Sequence, residues 1–193
     1  MKASLALSTA GALALVLALA QPDASAQSSP RRSKGDLLSG RAKIVDGAML
    51  DVGSERVRLW GIDTPASGDW CYRRDQRWRP TAESATGLRG CLADKKVTCR
   101  VQKAERRWFR LRYVAECWTD DGQDLGECLI RTGWATDYTC YSDGFYADQE
   151  TEARNKRLGL WSCDNGAPTR RWGRHGPGTL CETPAYKPQG PGS

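Results

Sequence analysis

Residues 42–63, AKIVDGAMLDVGSERVRLWGID, carry the pattern that sets the architecture. Short apolar runs alternate with polar positions and break at Asp46-Gly47 and Gly53-Ser54. Alternation with a period of two puts one face of a strand on a core, and Asp-Gly and Gly-Ser pairs form tight turns, so the segment reads as a three-stranded meander. It runs directly into Asp63-Thr64-Pro65-Ala66, where an arginine upstream (Arg58) and a carboxylate (Asp63) suggest phosphate and metal chemistry.

Outward from the meander, Trp70 to Pro80 (WCYRRDQRWRP) reads as a long basic loop. Thr81 then begins a helix through about Ala93, with Pro80 just ahead of it and Ala82, Ala85, Leu88 and Leu92 at helical spacing. Two β-rich runs follow, VTCRVQK (97–103) and LRYVAECW (111–118). Asp124 is placed to cap a helix to Arg131 that Gly133 ends, and a last helix is expected from about Asp143 or Phe145 to Leu158. The order β-β-β-α-β-β-α-α has five strands with a helix after the third, as in a small closed α+β barrel of the oligonucleotide-binding (OB) type.

The ends differ in composition from this centre. Lys2, the apolar run Ala12 to Ala20 and Ala24-Ser25-Ala26 together have the form of a secretory signal, expected over residues 1–26 and too short to span a bilayer. Residues 27–40 read as a flexible leader, 41–162 as the folded domain, and the Gly-, Pro- and Arg-rich 163–193 as a loosely ordered tail. The expected setting is therefore periplasmic or extracellular, with no membrane span. A net charge of +6 favours polyanionic partners such as nucleic acid. Eight cysteines without a C-x-x-C pair argue for disulfides over zinc in an exported chain. Cys99 and Cys117, on two strands joined by a charged link, are expected to pair across a hairpin; the other six stay unassigned among many possible pairings.

Five blocks in order, IVDGAML (44–50), RVRLWGIDTP (56–65), RYVAEC (112–117), DLGECLIRTGWA (124–135) and E-x-x-AR-x-x-x-x-GLW (150–161), resemble the thermonuclease family, whose best known member is staphylococcal nuclease. The resemblance covers about residues 41–161. It implies a calcium-dependent phosphodiesterase, in which two acidic side chains and a backbone carbonyl hold the ion, a glutamate is general base, and two arginines grip the phosphate. Position by position, it implies Arg58 and Arg112 as the phosphate-facing pair, Asp63 as one metal carboxylate and Thr64 as the source of the carbonyl. Tyr141 matches a substrate-side aromatic of the family.

Departures from the family pattern are as informative. The usual DGDT turn reads Asp46-Gly47-Ala48-Met49, so Ala48 stands where the other metal carboxylate belongs. The usual DTPE reads Asp63-Thr64-Pro65-Ala66, leaving the general-base position to Ala66. The usual DRYGR has become Trp108-Phe109-Arg110-Leu111-Arg112. A methyl group neither ligates calcium nor accepts a proton, so calcium is expected to bind weakly or not at all.

Each retained residue also has a plainer role. Asp63 before Thr-Pro suits an Asx turn, Arg58 and Arg112 suit pairing with barrel carboxylates, and Tyr141 suits packing over helix and barrel. Trp70, Arg73, Arg74, Arg77, Trp78 and Arg79 form a basic aromatic cluster able to stack on and neutralise single-stranded nucleic acid, or simply to pack around Cys71. The only histidine, His175, lies in the tail, so histidine-based nucleases, Ser-His-Asp hydrolases and His-ligated zinc have no raw material, and no phosphate-cradling GxxxxGK[ST] loop occurs. The sequence thus supports a non-cleaving domain that binds an anion, nucleic acid or protein. Its alternatives are a nuclease rewired through Asp69 or Glu55 and an envelope structural module.

Overall fold

A computed structural model of the chain describes residues 31–107 and 109–164. The expected signal, the first part of the leader, His175 and Cys181 lie outside the described residues. Five strands close a barrel: β1 (Leu37–Ile44), β2 (Met49–Val52), β3 (Glu55–Leu59), β7 (Lys96–Arg107) and β8 (Arg110–Thr119), in the spatial order β1-β2-β3-β8-β7. Closure comes from antiparallel pairing of β1 with β7, and the one parallel pair is β3 with β8. The three-strand meander and the OB-type barrel expected from the alternation are both present.

Alternation explains the core. Leu50 and Val52 on β2, Val57 and Leu59 on β3, and Tyr113, Ala115 and Cys117 on β8 are buried while their neighbours in β2 and β3 stay partly exposed. Each fully buried aliphatic side chain contributes about 1.5–3 kcal/mol. Cys99 and Cys117 stand opposite each other in the β7–β8 register and form the expected disulfide.

The domain is larger at both ends than composition suggests. Leu37–Gly40, expected in the flexible leader, belong to β1, because Leu38 is buried and the segment pairs with Val97–Arg100. Cys163, expected at the start of the loose tail, is bonded to Cys71, and the Asp164 amide donates to the Tyr72 carbonyl at 2.8 Å.

The loop from 70 to 80 is a hairpin, not an irregular segment: β5 (Cys71–Arg73) pairs with β6 (Gln76–Trp78). Its turn residues Arg74 and Asp75 are both left-handed (φ 51° and 62°), a role usually signalled by Asn-Gly, so the turn was not legible. Helix α1 (Thr81–Leu92) ends one residue earlier than expected, and its buried face is Ser84, Leu88, Cys91 and Leu92. Ala82 is exposed instead, because the helix is rotated toward a disulfide between Cys91 and Cys128. Helix α2 (Leu125–Arg131) is capped as expected, Asp124 accepting from the Gly126 and Glu127 amides at 2.7 and 3.1 Å.

Two short strands, β4 (Ile62–Asp63) and β9 (Thr136–Asp137), pair beside the barrel. The last expected helix is present but shorter, as α4 (Ala147–Asn155), preceded by a separate short helix α3 (Thr139–Ser142) that was not expected and followed by a 3-10 turn at Gly159–Ser162. Asp143 in the left-handed region (φ 52°) and Gly144 separate α3 from α4. Buried Tyr146 follows the break and donates to Asp124 at 3.1 Å. Among the described residues no helix is long and apolar enough to cross a membrane.

Candidate functional site

The turn between β1 and β2 places Ala48. Its amide donates to Asp46 Oδ1 at 2.8 Å, its carbonyl accepts from the Leu59 amide at 2.8 Å, and the residue is only 2% exposed. Gly47 presses the turn against α1, since a Cβ there would lie 2.7 Å from Ser84 Cβ and 3.4 Å from Thr64 Cβ. That closeness brings the Asp46–Ala48 turn and the Asp63-Thr64 segment together. Arg58 joins them, being opposite Met49 in the β2–β3 register, and it donates to Asp63 Oδ1 at 3.1 Å.

Ala66 heads the next turn, and its backbone is fully engaged. The Ala66 amide donates to Asp69 Oδ2 at 2.8 Å, and its carbonyl accepts from the Asp69 amide at 3.0 Å and the Thr81 hydroxyl at 2.9 Å. Asp69 is only 8% exposed and its carboxylate is used to close this turn.

Arg112 lies on the same outer barrel face, held at 3.0 and 2.6 Å by Glu105 Oε2. The strand register explains why. Asp51 faces Arg56 across β2–β3, the position beside Arg56 on β8 is Arg112, and Glu105 faces Arg112 across β7–β8. A row of alternating charge therefore crosses four strands. Lys103 also binds Glu105, at 2.8 Å, and it donates to the Tyr141 hydroxyl, which in turn reaches Glu105 Oε1 at 3.2 Å. Burial pushes the Glu105 carboxyl upward, but hydrogen bonds from Lys103 and Arg112 outweigh it and hold the pKa at about 2. Asp51, Lys103 and Glu105 stand outside the motif blocks, and Arg56 only opens one of them. Only the i, i+2 spacing of Arg56 and Arg58 hinted at a cationic strand face.

The basic aromatic cluster forms a surface of its own on the β5–β6 hairpin. Arg77 lies 4.6 Å over Trp70 and Arg73 lies 5.1 Å over Trp78, while Trp70 and Tyr72 remain exposed. Trp78 is tied down, its indole nitrogen donating to Glu83 at 2.6 Å and its ring tilted 6.3 Å from Trp134. Tyr141 is likewise engaged, with Lys103 4.3 Å over its ring.

Calcium takes roughly six to eight oxygen ligands, and its affinity follows the count of charged ones. At the positions where the family resemblance implies a second ligand and a base stand Ala48 and Ala66, Asp63 carries an arginine, and the Asp46 carboxylate is engaged by the Ala48 amide. Among the described residues no three acidic, histidine or cysteine side chains gather as a metal site. The side chains present do not fit a calcium ion.

Comparison with known proteins bears on this geometry. Residues 56–163 match the family model described as Staphylococcal nuclease homologue. The chain is 30% identical over 191 residues to a Micrococcal nuclease of Shigella flexneri, covering 90% of this chain and 96% of that protein. It is 32% identical over 123 residues to the Succinoglycan biosynthesis protein ExoI of Rhizobium meliloti (strain 1021), covering 63% of each. It is 28% identical over 135 residues to the Probable endonuclease lcl3 of Botryotinia fuckeliana (strain B05.10), covering 65% of this chain. The matched regions span only 63% and 49% of those last two proteins.

Proposed function

The chain belongs to the staphylococcal nuclease homologue family, and from that membership we propose that it is an exported domain that binds nucleic acid while cleaving it poorly or not at all. One observation supports the reading: alanines, Ala48 and Ala66, stand where the family resemblance implies a metal carboxylate and a base, in turns that are otherwise well formed. Without a base the attacking water keeps its proton, and general acid–base catalysis contributes about 10²–10⁴-fold. Without the second carboxylate, little holds a hard cation against Asp63.

The remaining groups favour binding. Arg58 and Arg112 are held by carboxylates in fixed orientation, and a guanidinium fixed by one carboxylate keeps free N–H donors for a phosphate. The β5–β6 hairpin adds Arg73, Arg74, Arg77 and Arg79 beside exposed Trp70, the combination that single-stranded nucleic acid recognition uses. Export rests on the signal-like residues 1–26 and agrees with the three described disulfides. Asp69 is a poor substitute base, because moving its carboxylate toward a phosphate would strand the Ala66 amide.

Nuclease zymography on DNA and RNA, with calcium and with chelator, tests the proposal. The parent protein is expected to leave both substrates intact. Ala48→Asp combined with Ala66→Glu is expected to restore calcium-dependent cleavage where neither change alone does, and Arg58→Ala should abolish the gain. Strong cleavage by the parent that Asp69→Ala removes would replace this reading with the rewired nuclease.

A further inference from the structure

We infer that Cys140 and Cys181 form a fourth disulfide, which closes residues 165–180 into a loop anchored at both ends and makes that loop a second cationic arm of the nucleic-acid-binding face. The bridge follows from the cysteines alone, whereas the role of the arm rests on the nucleic-acid-binding reading.

Elimination identifies the partner. The chain has eight cysteines, and six of them pair as Cys71–Cys163, Cys91–Cys128 and Cys99–Cys117. Cys140 is disulfide-bonded as well, and among the described residues no cysteine is a free thiol. Within one chain only Cys181 remains to bond it. Forming the bridge removes two protons and two electrons from the two thiols. The electrons pass to a protein or small-molecule disulfide that is reduced to two thiols, the same chemistry that the other three bridges require. Reach is no obstacle, since Asp164 is fixed by its amide bond to the Tyr72 carbonyl. The 17 residues from there to Cys181 extend to about 58 Å, against a width of about 35–40 Å for a domain of this size.

Both anchors flank the candidate site. At one end Cys163 and Asp164 hold the β5–β6 hairpin with its arginines. At the other, buried Cys140 sits in α3 between Tyr138, whose amide donates to the Gly61 carbonyl at 2.8 Å, and Tyr141, which binds Lys103 and Glu105. Strand β9, which leads into α3, places Thr136 opposite Asp63. Residues 165–180 hold Arg170, Arg171 and Arg174, no acidic residue, and Trp172 beside the arginine pair. They repeat the arginine and tryptophan make-up of the β5–β6 hairpin, a combination that grips phosphates and stacks on unpaired bases. Four glycines give this segment many conformations, and a second tie leaves fewer of them to be lost on binding.

Non-reducing peptide mapping of the full oxidised chain by mass spectrometry tests the bridge, with one linked peptide pair containing Cys140 and Cys181 as the expected result. Alkylation of both cysteines, or a Cys140 linkage between two chains seen as a dimer on a non-reducing gel, would overturn it. Fluorescence anisotropy with a labelled oligothymidylate, at about pH 8 where a histidine is neutral, tests the arm, and circular dichroism verifies folding. Replacing Arg170, Arg171 and Arg174 with Ala leaves every bridge in place and is expected to lower the salt slope by about 2, the share of three single-strand phosphate contacts. Cys140→Ser with Cys181→Ser keeps every charge and is expected to weaken binding several-fold. A parental slope in the arginine variant would overturn the arm and leave nucleic-acid binding standing. A parent protein that binds no oligothymidylate at low salt would overturn the nucleic-acid reading and the arm together, while a mapped bridge would stand.

Discussion

Glu116 shows how much a single side chain can be asked to bear. It faces Arg100 across β7–β8, is 3% exposed, and neither carboxylate oxygen accepts a hydrogen bond. Burial raises its pKa to about 7, Arg100 and Lys34 pulling it down and Asp124 pushing it up. The sign follows from proton linkage. Between pH 4.5, the ordinary value, and about 7, the folded chain holds a proton that the unfolded chain has released, so stability falls as pH rises through that window. Glu116→Gln is therefore expected to raise urea stability at pH 8, by about 3 kcal/mol at most, and to flatten the dependence between pH 5 and 8. An unchanged difference between those pH values would contradict the assignment. At the same scale, Ala48 and Ala66 were legible as departures because motif positions are local. What their surroundings do was not, since the Asp69 clasp on Ala66 is a matter of backbone geometry.

At the scale of elements, the β5–β6 hairpin is the clearest product of tertiary structure. Two three-residue strands are too short to stand alone in water. The Cys71–Cys163 bridge and the Asp164 amide hold this hairpin to the end of the domain. The bridge closes a separation of 92 residues, for which loop-closure entropy predicts about 4.6 kcal/mol of stabilisation. Cys71→Ala with Cys163→Ala is expected to lower global stability by that order and to weaken oligonucleotide binding, because the arginine cluster loses its fixed backbone. Hydrogen exchange should locate the loosening in residues 70–80, and uniform loosening of the barrel would contradict a local anchoring role. Helix α1 meets the segment after α2 for a different reason: a Cβ at Gly87 would lie 2.3 Å from the Trp134 ring, so glycine is what admits that approach. The helix positions were readable from Pro80 and Asp124, but the rotation that buries Ser84 and Cys91 instead of Ala82 depended on the partner helix.

For the whole molecule, the net charge of +6 favours a polyanion, and the number of phosphates contacted sets how binding responds to salt. A single strand held through four phosphate contacts, one for each of Arg73, Arg74, Arg77 and Arg79, is expected to lose about 50-fold in affinity between 50 and 200 mM salt by counterion release. Binding that is insensitive to salt would point to a protein or uncharged partner. The charge is not simply spread over the surface, since Asp63, Asp51 and Glu105 each take up an arginine on one barrel face. Free cationic character is left on the hairpins to either side.

Local physics, alternation and turn chemistry alone, determined the meander, the barrel, the capped α2 and the Cys99–Cys117 pair, because period-two burial and adjacent-strand register act over short stretches of chain. Family motifs then located the two alanines. Tertiary structure alone decided the Cys71–Cys163 and Cys91–Cys128 bridges and the row Asp51-Arg56-Arg112-Glu105. A sequence pattern says which face of a strand meets solvent, whereas the neighbour on that face is chosen only when the barrel closes and strands far apart in the chain fall into register.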